Sequence, residues 1–250
     1  MRRMPGGSFI FIIFLALMAF NSFQSGRFAD PGQWLISVLL ILPAIVVGVT
    51  FHEFMHAYSA FKLGDQTPKA QGRVTLNPLK HLDPVGLIVL IFIGFGWGRP
   101  VQVNPYAFKG NRRLAGLIVA VAGVLMNLFL AFCFSAVLVI IDLQYHGSFS
   151  SAPLYVFYVI VLQIVRINLI LMLFNLLPVP PLDGFGIITE IFDLRKYQWY
   201  PQLYSNGMFI LLILIIVPRI MGFDLLGKLL SPAWNQIPDF IYNIWLHILG

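Results

Sequence analysis

Long runs of apolar residues, separated by short polar segments, dominate the pattern of this chain. About 20 consecutive apolar residues are enough to cross the hydrocarbon core of a bilayer as a helix. Three runs are longer than that, at residues 34–61, 114–141 and 154–177. An earlier run at 8–23 follows two arginines like a signal peptide, but no cleavage pattern of small residues comes after it. We therefore expect it to be retained as a first span.

Several shorter segments complete the predicted topology. Residues 206–217 form a fifth run ended by Pro218, and residues 234–249 form either a short sixth span or an interfacial helix. The glycine-rich run at 85–95 predicts a re-entrant or interfacial piece, and RVTLN and RPVQVN nearby look like short strands. The prediction is an all-α polytopic membrane protein. It is a single domain over residues 1–250, a bundle of about six transmembrane helices with a short β-strand or re-entrant element between the second and third spans.

Composition supports the membrane class. Hydrophobic residues make up 59% of the chain and charged residues 10%, whereas a soluble domain carries roughly 25% charged residues. The net charge of +6 lies in the gaps between apolar runs. We therefore expect the lipid bilayer, and not a nucleic acid, to be the partner of the basic residues.

The distribution of lysine and arginine predicts the orientation. The segment 62–113 carries eight of these residues, and the connection 142–153 carries none. Cytoplasmic loops are enriched in lysine and arginine, so the first segment is predicted to be cytoplasmic and the second external. The ends of the second and fourth spans then face the cytoplasm.

Two histidines and a glutamate interrupt the second apolar run in the sequence HEFMH. His52 and His56 are four residues apart, which places both imidazoles on one helix face within reach of one metal ion, and Glu53 lies beside them. This is the helix pattern of zinc metallopeptidases, in which the histidines hold the metal and the glutamate takes a proton from water. The alternative is two histidines that bond to neighbouring groups and an incidental glutamate. Inserting an ionisable group into a membrane span costs roughly 2–3 kcal/mol, so such a group needs a partner. A bound metal ion provides that partner, which favours the zinc interpretation.

A catalytic zinc ion needs a third protein ligand. Asp183 is the candidate, in the segment NLLPVPPLDG where the fourth span ends. Three prolines prevent a regular helix in this segment. Non-helical backbone at membrane depth is tolerated only where protein or a water-filled cavity surrounds it. The alternative is an ordinary turn aspartate before Gly184.

Together, the two motifs resemble those of the site-2 protease family of intramembrane zinc metalloproteases. The resemblance covers roughly residues 47–185 and includes GRVTLNPLKHLDPVG, GWGRPVQVNP and AGVLMN. It implies one zinc ion per chain, bound by His52, His56 and Asp183, with Glu53 as the general base. It also implies a substrate contact for Asn127. Asn175, a polar residue at the wall of the expected cavity, is predicted either to bind substrate or to orient Asp183. The chain has Ala122, Gly123 and Val124 where the family commonly has Ala-Gly-Pro, and it resembles the minimal branch without PDZ or CBS domains.

The predicted function is therefore that of an intramembrane zinc endopeptidase. Its substrates would be transmembrane proteins, cut within or near their spans, in what we expect to be a prokaryotic cell membrane; the oligomeric state is left open. The alternative is a zinc-binding membrane protein without peptidase activity, such as a transporter or an inactive homologue. A transporter needs polar residues along a path to the outer face, and here only Arg166 stands apart from the cytoplasmic cluster. His81 is interpreted as structural, because a fourth protein ligand would exclude water.

Overall fold

The computed structural model of the chain describes residues 28–93, 96–149 and 151–250, with six isolated positions before residue 28. The predicted first span, 8–23, therefore lies largely outside the described residues. Within them are nine α-helices: α1 (Pro31–Lys62), α2 (Thr67–Ala70), α3 (Pro84–Ile93), α4 (Arg112–Tyr145), α5 (Ala152–Asn175), α6 (Asp183–Phe192), α7 (Tyr200–Ser205), α8 (Gly207–Ile220) and α9 (Leu225–Leu249).

Three of the described helices, α1, α4 and α5, are long enough and apolar enough to cross a membrane. They match the predicted runs 34–61, 114–141 and 154–177 to within a few residues. Side-chain caps fix the first residues of α1 and α4: Asp30 accepts a hydrogen bond from the Gln33 N–H, and Asn111 accepts bonds from the N–H groups of Arg113 and Leu114. Many large apolar side chains on their outer faces are exposed, as expected of a surface that contacts lipid.

Small residues allow these three helices to pack closely. Ala44, Ala57 and Ala60 of α1 are fully buried, as is Ala131 of α4. At Gly48, an added Cβ would lie 2.8 Å from Leu171 Cδ1 of α5. Helices in membranes commonly associate through such small residues, because the backbones can then approach one another.

The two predicted later runs are helical, with different bounds. The run 206–217 corresponds to α8, which continues past Pro218 to Ile220, so the predicted end at this proline is wrong. The run 234–249 corresponds to α9, which begins nine residues earlier and contains Pro232 and Pro238. Neither helix is among the three candidate spans of the described residues, so the prediction of six spans is not confirmed.

The predicted β element is also not confirmed. Residues 84–93 form the helix α3, and among the described residues only one isolated antiparallel bridge is present, between Leu82 and Gly98. RVTLN and RPVQVN do not pair because side chains take up their hydrogen-bonding groups. The Val101 N–H donates to Glu53 Oε2 over 3.1 Å, and the Asn104 N–H donates to Asp65 Oδ2 over 2.7 Å.

The connection between α1 and α4 is thereby fixed to the end of α1. Asp65 is fully buried and also accepts a hydrogen bond from the Thr67 N–H, while the Lys109 N–H donates to the Leu63 carbonyl. The Arg73 guanidinium donates to the carbonyls of Lys80 and Arg99 and so joins the two halves of the connection. This arrangement holds Val101 beside the side chain of Glu53.

Candidate metal centre

Three predicted ligands, distant in sequence, converge at one point. His52 Nε2 and His56 Nε2 are 3.1 Å apart, and each lies 3.2 Å from Asp183 Oδ2. For a tetrahedral zinc ion with bonds of 2.0–2.1 Å, neighbouring ligand atoms are about 3.3 Å apart. The triangle of His52, His56 and Asp183 therefore has the dimensions expected of three protein ligands of one zinc ion.

The outer nitrogen of each imidazole is held by an acceptor on α4. His56 Nδ1 lies 2.7 Å from the Val119 carbonyl oxygen, and His52 Nδ1 lies 2.7 Å from Asn127 Oδ1. A carbonyl oxygen can only accept, so each Nδ1 carries a proton, and in the neutral imidazole each Nε2 then presents a lone pair. Hydrogen bonds of this kind orient the histidine ligands of metal sites.

When both imidazoles are neutral, as metal binding requires, the three inner atoms have no proton to share. Two imidazole lone pairs face a carboxylate oxygen, and Asp183 Oδ2 is buried without a hydrogen-bond partner. Three acceptors this close repel one another unless a cation lies among them. Nitrogen and carboxylate ligands are those that zinc takes in catalytic sites, so these residues fit a zinc ion.

Gly123 of α4 leaves the space that the imidazoles occupy. A Cβ at this position would lie 2.4 Å from His56 Nε2 and 2.7 Å from His52 Cε1. Its neighbour Val124, where the family commonly has proline, is buried in the core. The glycine was part of the quoted AGVLMN pattern, but its contact with the histidines was not predicted.

Asp183 reaches the histidines from the first position of α6. The segment after α5 turns through three prolines, and Gly184 then lies against the end of α5, where a Cβ would come within 2.2 Å of the Leu176 carbonyl oxygen. The glycine after Asp183 is therefore required by packing and not only by a turn, since a residue with a Cβ could not lie this close to the end of α5.

The far end of α6 is fixed to α4 and to the following turn. Arg113 donates to the carbonyls of Glu190 and Ile191, and Arg195 makes a two-point ion pair with the buried Glu190 carboxylate at 2.6 and 2.9 Å. The pKa of Arg195 is raised chiefly by this hydrogen bonding to Glu190. These contacts restrain the helix that carries Asp183.

Glu53 lies next to His52 but outside the ligand triangle. Its side chain is half-buried, and Oε2 accepts the hydrogen bond from the Val101 N–H. The carboxylate is therefore oriented by the connecting segment and is not itself a member of the metal-binding group.

The two predicted substrate-contact residues lie in different environments. Asn127 is fully buried behind His52, and its amide nitrogen donates to the Gly48 carbonyl and to Asn168 Oδ1. Asn175 is the last residue of α5 and donates to the Leu171 carbonyl one turn back. Substrate contact by either residue stays a prediction.

Two further polar residues noted in the sequence lie apart from the triangle. His81 is fully buried in the connecting segment, with Nε2 2.7 Å from the Thr75 carbonyl oxygen. Burial lowers its pKa, and the positive charge of Arg73 lowers it further. Arg166 is exposed on the surface of α5. Neither belongs to the metal-binding group among the described residues.

Comparison with known proteins finds relatives that cover most of the chain. It is 45% identical, over 208 residues that make up 82% of this chain and 92% of the relative, to "Putative zinc metalloprotease YwhC" of Bacillus subtilis. Proteins named "Putative zinc metalloprotease Rip2" are 28% identical in Mycolicibacterium smegmatis (84% of this chain, 81% of the relative) and 25% identical in Mycobacterium tuberculosis (93% and 94%). No protein-family model and no solved structure matches the chain.

Proposed function

Because the chain belongs to the site-2 protease family of zinc metalloproteases, we propose that it is an intramembrane zinc endopeptidase. It hydrolyses peptide bonds within or near the transmembrane segments of other membrane proteins. The observation that carries the proposal is the convergence of three ligand atoms at 3.1–3.2 Å: His52 Nε2 and His56 Nε2 on the membrane-length helix α1, and Asp183 Oδ2 at the start of α6. Glu53 lies beside the histidines on α1.

His52, His56 and Asp183 would hold one zinc ion through two imidazole nitrogens and one carboxylate oxygen. When bound, zinc polarises the scissile carbonyl and lowers the pKa of a water molecule to about 7. Glu53 accepts the proton from this water at its carboxylate and delivers it to the leaving amine. The Val101 N–H, which donates to Oε2, keeps the carboxylate oriented during both transfers.

The site opens toward the cytoplasmic side in this proposal. His56 lies six residues before the end of α1 at Lys62, and Asp183 lies just after the end of α5. Exposed basic side chains cluster around the same end of the bundle: Lys62, Lys69, Lys80, Lys109, Arg112 and Arg113. This distribution agrees with the enrichment of lysine and arginine in cytoplasmic loops.

The test is cleavage of single-span model substrates by the purified protein reconstituted in lipid. Wild type with one equivalent of zinc is expected to cleave, and Glu53→Gln is expected to lose on the order of 10²–10⁴-fold in rate, as for other general bases. The variant should still bind zinc, because Glu53 is not a ligand. A chelator should abolish cleavage by wild type, and added zinc should restore it.

Asp30→Asn is the matched control, since it also removes one carboxylate charge from α1 and asparagine still caps a helix. It should cleave like wild type. A zinc-loaded wild type that leaves every substrate intact, or a Glu53→Gln variant with wild-type rate, would contradict the proposal.

A further inference from the structure

A chain of hydrogen bonds runs from α5 through α4 to the first histidine of the metal centre. Asn168 Nδ2 donates to the Ile164 carbonyl over 2.8 Å, and Asn168 Oδ1 accepts from Asn127 Nδ2 over 2.8 Å. Asn127 Oδ1 in turn lies 2.7 Å from His52 Nδ1. Asn168 lies outside both sequence motifs, and no role was predicted for it.

Backbone carbonyls determine the direction of every hydrogen bond that links Asn168, Asn127 and His52. The Ile164 and Gly48 carbonyls can only accept, so the amide nitrogens of Asn168 and Asn127 must face them. Asn168 then presents its oxygen to Asn127, and Asn127 presents its oxygen to His52. His52 Nδ1 must therefore carry its proton, which leaves the Nε2 lone pair for the metal.

A water molecule cannot take the place of the Asn127 or Asn168 side chain without a change in packing. Asn127 and Asn168 are both fully buried. Gly48 brings α1 so close to α5 that an added Cβ would lie 3.4 Å from Asn168 Oδ1. An amide buried in the middle of a membrane-length helix is costly unless every polar atom is paired, and here the pairing is complete.

We propose that Asn168 is a positioning residue that acts through Asn127 to set the tautomer and orientation of His52 for metal binding. The inference rests on the metal centre of the proposed function but concerns affinity for the metal, not cleavage. Asn168 bonds to Asn127 and to the Ile164 carbonyl, and not to the metal-binding atoms themselves.

Removing a partner that orients a metal-ligating histidine typically weakens metal affinity about 10–100-fold. Asn168→Leu removes the acceptor for Asn127 while keeping a similar side-chain volume, so zinc affinity measured against a competing chelator should fall by about 10–100-fold. The absorption bands of the Co²⁺-loaded protein should shift as well, because the ligand geometry changes. Asn168→Asp keeps an acceptor for Asn127, so it should bind zinc more tightly than Asn168→Leu.

A double variant tests whether Asn168 acts through Asn127. If it does, Asn127→Leu and the combination of Asn127→Leu with Asn168→Leu should bind zinc equally weakly, because the second change removes nothing further. Ser135→Ala is the matched control. Like Asn127, Ser135 is buried on α4 and donates a hydrogen bond to a helix carbonyl, but it does not take part in the series of hydrogen bonds that leads to His52. It should keep wild-type affinity and the wild-type Co²⁺ spectrum.

The outcomes separate this inference from the proposed function. Unchanged zinc affinity in Asn168→Leu, or fully additive losses in the double variant, overturns the role of Asn168 even if wild type cleaves substrates. A wild type that binds zinc but cleaves nothing overturns the proposed function alone, and the affinity series still decides on Asn168. A folded wild type that binds neither Zn²⁺ nor Co²⁺ overturns both.

Discussion

Gly123 shows how strongly a single residue without a side chain can determine the chemistry of this centre. The two imidazoles occupy the space beside its Cα, where a Cβ would lie 2.4 Å from the metal-binding nitrogen of His56. The Gly123→Ala change should therefore displace one or both histidines. We expect zinc affinity to fall by at least about 100-fold, the upper end of losses from disturbed ligand orientation, and cleavage to be lost with it.

The control for this change is Gly186→Ala on α6. Its Cβ would make an ordinary 3.4 Å contact with the Ala120 Cβ of α4, so affinity should stay at the wild-type value. Alanine is a better helix former than glycine, so neither variant should lose helix content by circular dichroism. Tight zinc binding by Gly123→Ala, measured by chelator competition, would mean that the histidines do not occupy this space.

The residues of the metal centre that the sequence predicted carry a local chemical signal, and those that it did not predict carry none. The spacing of His52 and His56 along one helix, and the carboxylate of Asp183 after a proline-broken segment, carry their own chemical signal. Asn168 and Gly123 acquire their importance only when another helix packs against them. A single sequence contains no information on that approach. Asn168 therefore could not be identified, and Gly123, although part of the AGVLMN segment, could not be assigned its contact with the histidines.

At the scale of elements, the ten-residue helix α6 is held at both ends. Asp183 faces the histidines at its start, and Arg195 pairs with the buried Glu190 near its end. Arg195→Ala would leave the Glu190 carboxylate buried without its partner. Because Arg195 is half-exposed, we expect the free energy of unfolding to fall by about 1–3 kcal/mol, less than for a fully buried pair.

This loss can be measured by denaturant unfolding of the metal-free protein in detergent micelles. Adding Glu190→Gln to Arg195→Ala should recover part of the stability, because a neutral amide costs less to bury than a carboxylate. Arg112→Ala, which removes an exposed arginine over the Tyr106 ring, is the control and should change stability little. If the double variant is as unstable as Arg195→Ala, the buried charge is not the cause.

The connecting segment around His81 should respond to acid. Burial lowers the pKa of His81 below its ordinary value of 6.5, so the closed segment holds the neutral imidazole. When the segment opens, the imidazole regains its ordinary pKa and takes up a proton below pH 6.5. The stability of the closed segment is therefore fully present above about pH 6.5 and is lost as the pH falls.

Amide hydrogen exchange of residues 73–83, corrected for its intrinsic dependence on pH, measures this opening. Protection should decrease in wild type as the pH falls below about 6.5. His81→Gln can still donate to the Thr75 carbonyl but does not titrate, so its protection should be constant over this range. A wild-type dependence that persists in His81→Gln would assign the effect to another group.

The whole bundle was predicted better than its connections. Hydrophobic runs of helical length are a strong signal, and the three longest became α1, α4 and α5. The strands expected at RVTLN and RPVQVN did not form, because Glu53 and Asp65 accept the hydrogen bonds of the second segment. Such side-chain competition depends on distant residues and leaves no local pattern. Proline is a typical signal for a helix end, but α8 and α9 continue through Pro218, Pro232 and Pro238.

The packing of α9 bears on whether this helix crosses the membrane. At its start, Gly227 and Lys228 line a groove of about 540 Å³ together with Ile170 and Leu173, near the end of α5. At the other end, the Tyr242 hydroxyl donates to Asp142 near the end of α4. Since α4 and α5 are antiparallel neighbours, α9 runs along the full length of the pair. We therefore predict that α9 is a span and not an interfacial helix.

Cysteine labelling with a membrane-impermeable maleimide tests this prediction directly. Cys133 is the one cysteine of the chain, so Cys133→Ala provides a background without reactive thiols. In right-side-out vesicles the maleimide reaches only the outer face. It should label the external positions, Ser148→Cys between α4 and α5 and Gly250→Cys at the end of α9. It should not label the cytoplasmic positions, Lys109→Cys and Lys228→Cys. The pattern should reverse in inverted vesicles. Labelling of the Lys228 and Gly250 positions from the same side would mean that α9 lies along the surface, because a helix that crosses must place its two ends in different compartments.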